Sequence, residues 1–262
     1  MPQRKAGRNK PSDMLGSAIV YCGLVVTAAG VLLTIRPIER LHITTRARGL
    51  AILGLGVVIA GIGFIAPAPE SRVATATTRL DEFVPVWQFN ERHSITVDAP
   101  AERVYQALKQ VRADEIALFR TLTWIRRGGR ALPEGILNAS NQRPLLDIAT
   151  RSGFIYLADD APKEIVIGTA VVAPRGKHLE LTPELYKSPL PPGFALAAMD
   201  FVVSPTGNNS SLITTETRVF ASSDKARRQF AIYWRMIYPG SAIIRRMWLR
   251  AVRRRAMIPA TQ

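Results

Sequence analysis

Glu216 and Arg218 flank Thr217 in the stretch Ser211 to Phe220. In an extended chain successive side chains alternate between faces, so the carboxylate and the guanidinium share one face. Turned toward an apolar interior, such a pair would orient the polar end of a bound molecule, as the few polar groups of a ligand pocket do. Turned toward solvent, or pinned into a core, it would serve stability alone, and both readings are open. After residue 88 the chain has two histidines, His93 and His178. Neither stands in a nucleophile or metal-binding motif, and each reads first as a structural or surface residue. The sequence contains no G-x-S-x-G, no Walker loop, no H-E-x-x-H and no G-x-G-x-x-G opening a helix after a strand. Hydrolase, kinase and dehydrogenase chemistry is therefore poorly supported. No catalytic residue, cofactor or metal site is assigned. Cys22 is the only cysteine, which excludes an intrachain disulfide and a Cys/His zinc cluster.

The elements that would hold these residues fall into two regions. Met14 to Ile35 is a run of 22 uncharged residues, and Gly49 to Pro69 is a second run of 21. At 1.5 Å rise per residue each can cover the roughly 30 Å hydrocarbon core of a bilayer. Backbone groups in lipid must bond internally, so both runs are expected to be helical. The short polar stretch Arg36 to Arg48 between them makes a two-helix transmembrane hairpin, in which Gly56 and Ala60, four apart, allow close packing. A basic tail, 1–13, precedes the hairpin (14–69). Arg4, Lys5, Arg8 and Lys10 of the tail balance Arg36, Arg40, Arg46 and Arg48 of the loop. Arg72 and Arg79, on the tail's side, tip the positive-inside rule toward a cytoplasmic tail and a cytoplasmic soluble domain.

Residues 70–88 read as a linker, with Pro85 discouraging a helix. Phe89 to Val97 then alternates as a strand. Pro100 opens a helix with Val104, Ala107, Leu108 and Val111 on one stripe. Asp114 to Leu122 reads as a second short helix capped by Asp114, Thr123 to Arg126 as a strand, and Arg143 to Arg151 as a further helical piece. Phe154 to Ala158 and Glu164 to Val172 read as strands around a turn. Ala197 to Ser204 and Ser211 to Phe220 form a clearer pair, separated by Pro-Thr-Gly-Asn-Asn. A helix capped by Ser222 or Ser223 closes the domain, and Pro239-Gly240 is expected to kink or break it.

This order resembles the helix-grip fold of the START-like superfamily, the polyketide cyclase and lipid-transfer group also called SRPBCC. The likeness covers residues 89–257 and leaves 258–262 as a tail. It rests on HSITVDAPAERVYQALKQV at the start, and on LITTETRVF followed by ARRQFAIYWRMIYPGSAIIRRMWLRAV at the end. These motifs are fold-level. The resemblance implies an α+β domain in which a curved antiparallel sheet grips the C-terminal helix around an elongated apolar cavity. It further implies binding of a hydrophobic small molecule or lipid, with enzymes a minority.

On that fold Phe154, Tyr156, Phe201, Trp234 and Tyr238 are candidate cavity walls, or equally ordinary core, and Glu216 and Arg218 are candidate polar anchors. For a cyclase or aromatase the acid–base group would be Glu216 first and His93 second. A third reading is a non-catalytic membrane scaffold that binds a protein partner. Lys and Arg outnumber Asp and Glu by 35 to 20, which favours phosphates of lipid headgroups or of nucleic acid. The last helix carries Arg228, Arg235, Arg245, Arg246, Arg250 and Arg253. With hydrophobic segments present and no DNA-reading context, the expected partner of these arginines is the lipid bilayer and not nucleic acid.

Overall fold

The computed structural model describes residues 14–38 and 45–258. The basic tail 1–13, loop positions 39–44 and residues 259–262 lie outside the described residues. The chain divides into two compact units, Met1–Glu70 and Ser71–Gln262.

The first unit holds helices α1 (Met14–Ile35) and α2 (Arg46–Ile65). Both are long and apolar enough to cross a bilayer, by length and composition. α2 begins three residues earlier than the uncharged run and stops before its Ala-Pro pairs. The helices run antiparallel with glycines at the contact. A Cβ added at Gly23, Gly30, Gly56 or Gly63 would come within 3 Å of Ala60, Leu53, Thr27 or Val20 of the other helix. Small residues thus permit a close backbone approach. The hydroxyls of Thr27 and Thr34 donate to their own helix, at Gly23 O and Gly30 O, each at 2.8 Å. Outward-facing Leu24, Val25, Leu32, Leu55, Val58 and Ile62 are exposed.

The second unit is an α+β helix-grip arrangement. Five antiparallel strands are ordered β3-β7-β6-β5-β4. They are β3 (Phe89–Val97), β4 (Ile155–Asp160), β5 (Glu164–Val172), β6 (Ala195–Gly207) and β7 (Ser210–Ala221). Between β3 and β4 lie α4 (Ala101–Gln110), a 3-10 turn at Ala113–Glu115, α5 (Phe119–Arg126) and α6 (Leu145–Arg151). The helix α8 (Asp224–Met257) packs along the concave face. Its start is fixed by Ser223, whose side chain accepts from Ala226 N. The main core lies on this side, where Val104, Leu108, Ile148, Ile167, Ile213 and Trp248 cluster.

Three local expectations are corrected. The helix read over Asp114 to Leu122 is a 3-10 turn at Ala113–Glu115 followed by α5 from Phe119, and Thr123 to Arg126 is the end of α5 and not a strand. One turn of it buries Phe119 and Thr123 on the same face, a helical period in a segment too short for alternation to be decisive. Of the kink or break expected at Pro239, the break does not occur, and α8 continues through it as one helix. Proline removes one intrahelical bond, and here the buried Trp234, Ile244 and Trp248 on either side hold the two halves in one element. The stretch 70–88 is no free linker. It supplies β1 (Ser71–Arg72), α3 (Arg79–Phe83) and β2 (Val86–Trp87), and it buries Leu80, Phe83, Val84 and Trp87 against the convex face of the sheet with Val166 and Leu196. The short helix α7 (Pro183–Lys187), not foreseen, packs there too. Its Tyr186 hydroxyl donates toward Thr169 O and Ala197 O at 3.2 and 3.0 Å.

Candidate functional site

The register of β7 decides what each of its side chains can do. Ile213, Thr217 and Val219 turn toward α8, while Glu216, Arg218 and Phe220 turn to the convex face. Glu216 and Arg218 therefore do share a face, and it is the one away from the grip. There Arg218 Nε donates to Glu216 Oε1 at 2.7 Å, and Arg218 Nη1 donates to Asp81 Oδ1 at 2.8 Å and to Val84 O at 3.2 Å. The guanidinium also stacks 4.0 Å over the Trp87 ring. Asp81 is held further by the backbone amides of Thr77 and Thr78. These bonds keep its carboxyl below the usual range despite burial. The expected role of Glu216 and Arg218 as cavity anchors is thus corrected to that of a buried clamp fastening residues 71–88 to the sheet.

Two more carboxylates sit on this face. Glu164 accepts from the Arg79 and Leu80 amides at 2.9 and 3.1 Å, at the start of α3. Asp200, 3% exposed, accepts from Glu216 N at 2.6 Å. Burial first, then the charges of Glu216 and Glu164, pushes the Asp200 carboxyl well above its ordinary value.

The concave face holds the cavity. Its volume is about 130 Å³, close to an engineered apolar cavity known to accept benzene. α8 supplies one wall through Phe230, Trp234, Ile237, Ile244 and Trp248. These recur every three to four residues and so make one helical face. Ala197 and Met199 of β6, Thr217 and Val219 of β7, and Thr169 and Val171 of β5 form the floor. Phe119, Thr123 and Arg126 of α5 and Phe154 close the side. Arg126 and Tyr233 mark the open edge. The Arg126 Nε donates to the Tyr233 hydroxyl at 2.8 Å, Nη2 also donates to it, and the guanidinium lies 5.3 Å from the ring centroid.

Of the aromatic residues expected here, Phe154 and Trp234 line the cavity. Phe201 is fully buried behind it, its ring 4.9 Å from Trp248. Tyr238 stacks on Trp234 at 5.8 Å, and Tyr156 packs against the core beside α6. Neither lines the cavity. Among the arginines expected at a headgroup surface, Arg228, Arg246, Arg250 and Arg253 are exposed on α8. Arg235 is 0% exposed and so cannot meet a headgroup. Arg245 is half-buried and lines the cavity. The basic stripe of the helix is thus divided between surface and interior, a distinction the helical period hides where Pro239 interrupts the pattern.

One polar pair escaped the sequence reading. On β3, Glu91 lies on the concave face, and its Oε1 is 2.7 Å from His93 Nε2. Ser241, a cavity-lining residue of α8, donates to Glu91 Oε2 at 2.9 Å. Arg246 Nε approaches His93 Nδ1 at 3.4 Å. An arginine nitrogen only donates, which assigns the imidazole proton to Nε2, facing Glu91. The signal was available in the alternation Glu91, His93, Ile95 along one strand face. His178, by contrast, lies on an exposed loop, and no group of three or more potential metal ligands occurs among the described residues.

No family model matches the sequence and no curated protein matches it. Solved structures that resemble the fold include the following three. A conserved protein from Geobacillus kaustophilus is 13% identical, with 64% of this chain and 95% of that chain covered and a TM-score of 0.33. A protein from Thermus thermophilus is 12% identical, with 66% and 99% covered and a TM-score of 0.28. The Zhui aromatase/cyclase from a Streptomyces species is 11% identical, with 64% and 96% covered and a TM-score of 0.25. The likenesses are to a fold of this general kind, and at such scores they assign neither ligand nor reaction.

Proposed function

We propose that this chain is a START-like, membrane-anchored module that binds a hydrophobic small molecule in the cavity between sheet and α8. The observation that carries the reading is the cavity itself: a largely apolar space on the gripped side, with polar side chains set among the apolar ones of its wall. Transfer of the ligand's apolar surface from water drives binding, at about 0.8 kcal/mol for each buried methylene. α1 and α2 serve as the anchor, with the domain on the cytoplasmic side. Exposed apolar side chains near the open edge, Trp124, Ile125 and Met236, together with Arg228 and Arg250, support contact with an anionic bilayer surface. A ligand could then pass between bilayer and cavity without crossing bulk water. The test is solvent extraction of the purified full chain, followed by mass spectrometry. An apolar compound retained over empty-membrane controls is expected. A dry cavity that retains nothing, and that takes up no small apolar probe, overturns the reading.

A second reading, an acid–base enzyme of the cyclase type, draws on the Glu91–His93 pair, with Ser241 bridging from Glu91 to the cavity wall. A carboxylate bonded to an imidazole fixes its tautomer; His93 does not itself line the cavity, so in this reading it reaches a bound carbonyl compound only after its Nδ1 parts from Arg246. Turnover of a cavity-bound polyketone that is lost in His93→Gln with binding kept would favour it, and equal turnover in both would remove it.

A further inference from the structure

Two hydrogen-bond donors in the cavity wall have nothing to donate to. Arg245 Nη1 and Trp248 Nε1 are both sealed from solvent, and both are without a hydrogen-bond partner among the described residues. Both side chains line the cavity. Residues three apart on a helix are neighbours on one face, so the two donors stand one turn apart along the same wall. Buried polar groups are ordinarily satisfied, and an unpaired buried charge is the costliest exception.

No nearby acceptor pairs with either donor among the described residues. Glu91 is taken by His93 and Ser241. The Tyr233 hydroxyl is held by Arg126. The threonine hydroxyls at positions 123 and 169 donate to the backbone oxygens of Phe119 and Gly153, and what they retain is a neutral acceptor. Burial pulls the Arg245 guanidinium below its ordinary value, with Glu91 and Asp200 only partly opposing that effect. Guanidinium and indole N–H groups are donors only. Their complement is an acceptor, and negative charge on it matches the cationic guanidinium best.

We infer that the cavity takes a molecule with an apolar body and a carboxylate, whose oxygens accept from Arg245 and Trp248. This rests on the ligand-binding reading above and supplies its ligand class. Arg126 at the open edge adds a second positive charge for entry of an anion. The volume of about 130 Å³ fits a one-ring aromatic acid or a short acyl chain.

The experiment is calorimetric titration of the full chain in phosphatidylcholine nanodiscs, with titrations of empty discs subtracted. An aromatic arm compares 4-ethylbenzoate with 4-ethylbenzyl alcohol, and an acyl arm compares octanoate with octanol. In at least one arm the acid is expected to bind tenfold or more tighter than the alcohol, since charge-assisted bonds are the stronger ones. Arg245→Met is expected to bring the acid to the level of the alcohol while the alcohol still binds. Trp248→Phe should remove part of the preference. The melting temperature of unliganded Arg245→Met should hold or rise, because an uncompensated buried charge has gone. Equal binding of acid and alcohol by the unaltered chain, or a preference that survives Arg245→Met, overturns the inference and leaves the cavity as a neutral site. A fall of more than about 5 °C in Arg245→Met marks Arg245 as structural and equally overturns it. Binding of neither acid nor alcohol overturns the ligand-binding reading as a whole.

Discussion

Arg218 Nη1 stands 2.8 Å from Asp81 Oδ1, joining the middle of β7 to the short helix α3 across 137 residues of chain. Both side chains are almost wholly buried, at 5% and 6% exposure. Removing one partner of a buried pair leaves the other charge uncompensated, which typically costs about 3–5 kcal/mol. Arg218→Met keeps much of the apolar contact with Trp87 and deletes the charge. It should therefore destabilise the domain by that amount in denaturant unfolding of the full chain. A loss under about 1 kcal/mol would show that Asp81 and Glu216 find other partners and that the clamp is incidental. The variant should bind cavity ligands unchanged wherever it remains folded, because Arg218 lies on the opposite face of the sheet.

The same cluster gives a pH dependence of defined sign. The Asp200 carboxyl is raised by burial and by Glu216 and Glu164, so the folded state holds its proton more tightly than the unfolded chain does. Its contribution to stability is greatest below the ordinary carboxylate range and declines as pH rises from there through the folded value. Asp81 behaves oppositely: its lowered pKa gives stability that is present above the ordinary range and lost as pH falls. Asp200→Asn retains an acceptor for Glu216 N and cannot ionise. Thermal unfolding should show a higher Tm than wild type at pH 7, by about 2–4 °C for each kcal/mol recovered, and a difference that narrows toward pH 4. A lower Tm at pH 7 would mean that the ionised carboxylate is required.

How much of this was legible before the fold was seen depended on period and on distance. β3 was found to the residue because Phe89 to Val97 alternates, and the start of α8 was legible because capping chemistry is local. The 71–88 layer was not legible: Leu80, Phe83, Val84 and Trp87 have the helical spacing i, i+3, i+4, i+7, but the helix stops at Phe83 before Pro85, and what the four residues pack on is the convex face of a sheet formed far along the chain. For the site, alternation placed Glu216 and Arg218 on a common face. Which face that is depends on long-range pairing with β6 and β3, and a strand's own sequence does not carry it. Arg245 was read as surface because a row of arginines on one helix looks uniformly solvated. The position of Trp248 one turn on is what turns it inward.

The two apolar helices make a separate prediction. Gly56 faces Thr27 so closely that a Cβ would fall within 3 Å of its backbone. Gly56→Leu cannot be absorbed by a side-chain rotation, because backbone atoms are in the way. The helices must separate, and spin labels on cysteines at the exposed positions Leu32 and Leu55, with Cys22 replaced by serine, should lie farther apart in pulsed electron resonance than with Gly56 intact. Gly54, where an added Cβ meets nothing within 4 Å, is the control, and Gly54→Leu should leave the label distance unchanged. Equal distances in both variants would contradict the packed pair.

Filling the cavity separates binding from stability. Ala197 faces the cavity from β6, while its backbone oxygen accepts from Tyr186 on the other side, at 3.0 Å. Ala197→Leu therefore adds three carbons to the space without touching the ladder or the Tyr186 bond. Each newly buried methylene contributes about 0.8 kcal/mol, less the strain of a crowded rotamer, usually about 1–3 kcal/mol. The net change in stability should lie near zero. A space of about 130 Å³ cannot hold both the new side chain and a ring, so binding of 4-ethylbenzoate should fall by more than tenfold. Arg245→Met instead removes only the preference for the acid and keeps the alcohol. Full binding in Ala197→Leu, with Tm unchanged, would place the ligand somewhere other than between the sheet and α8.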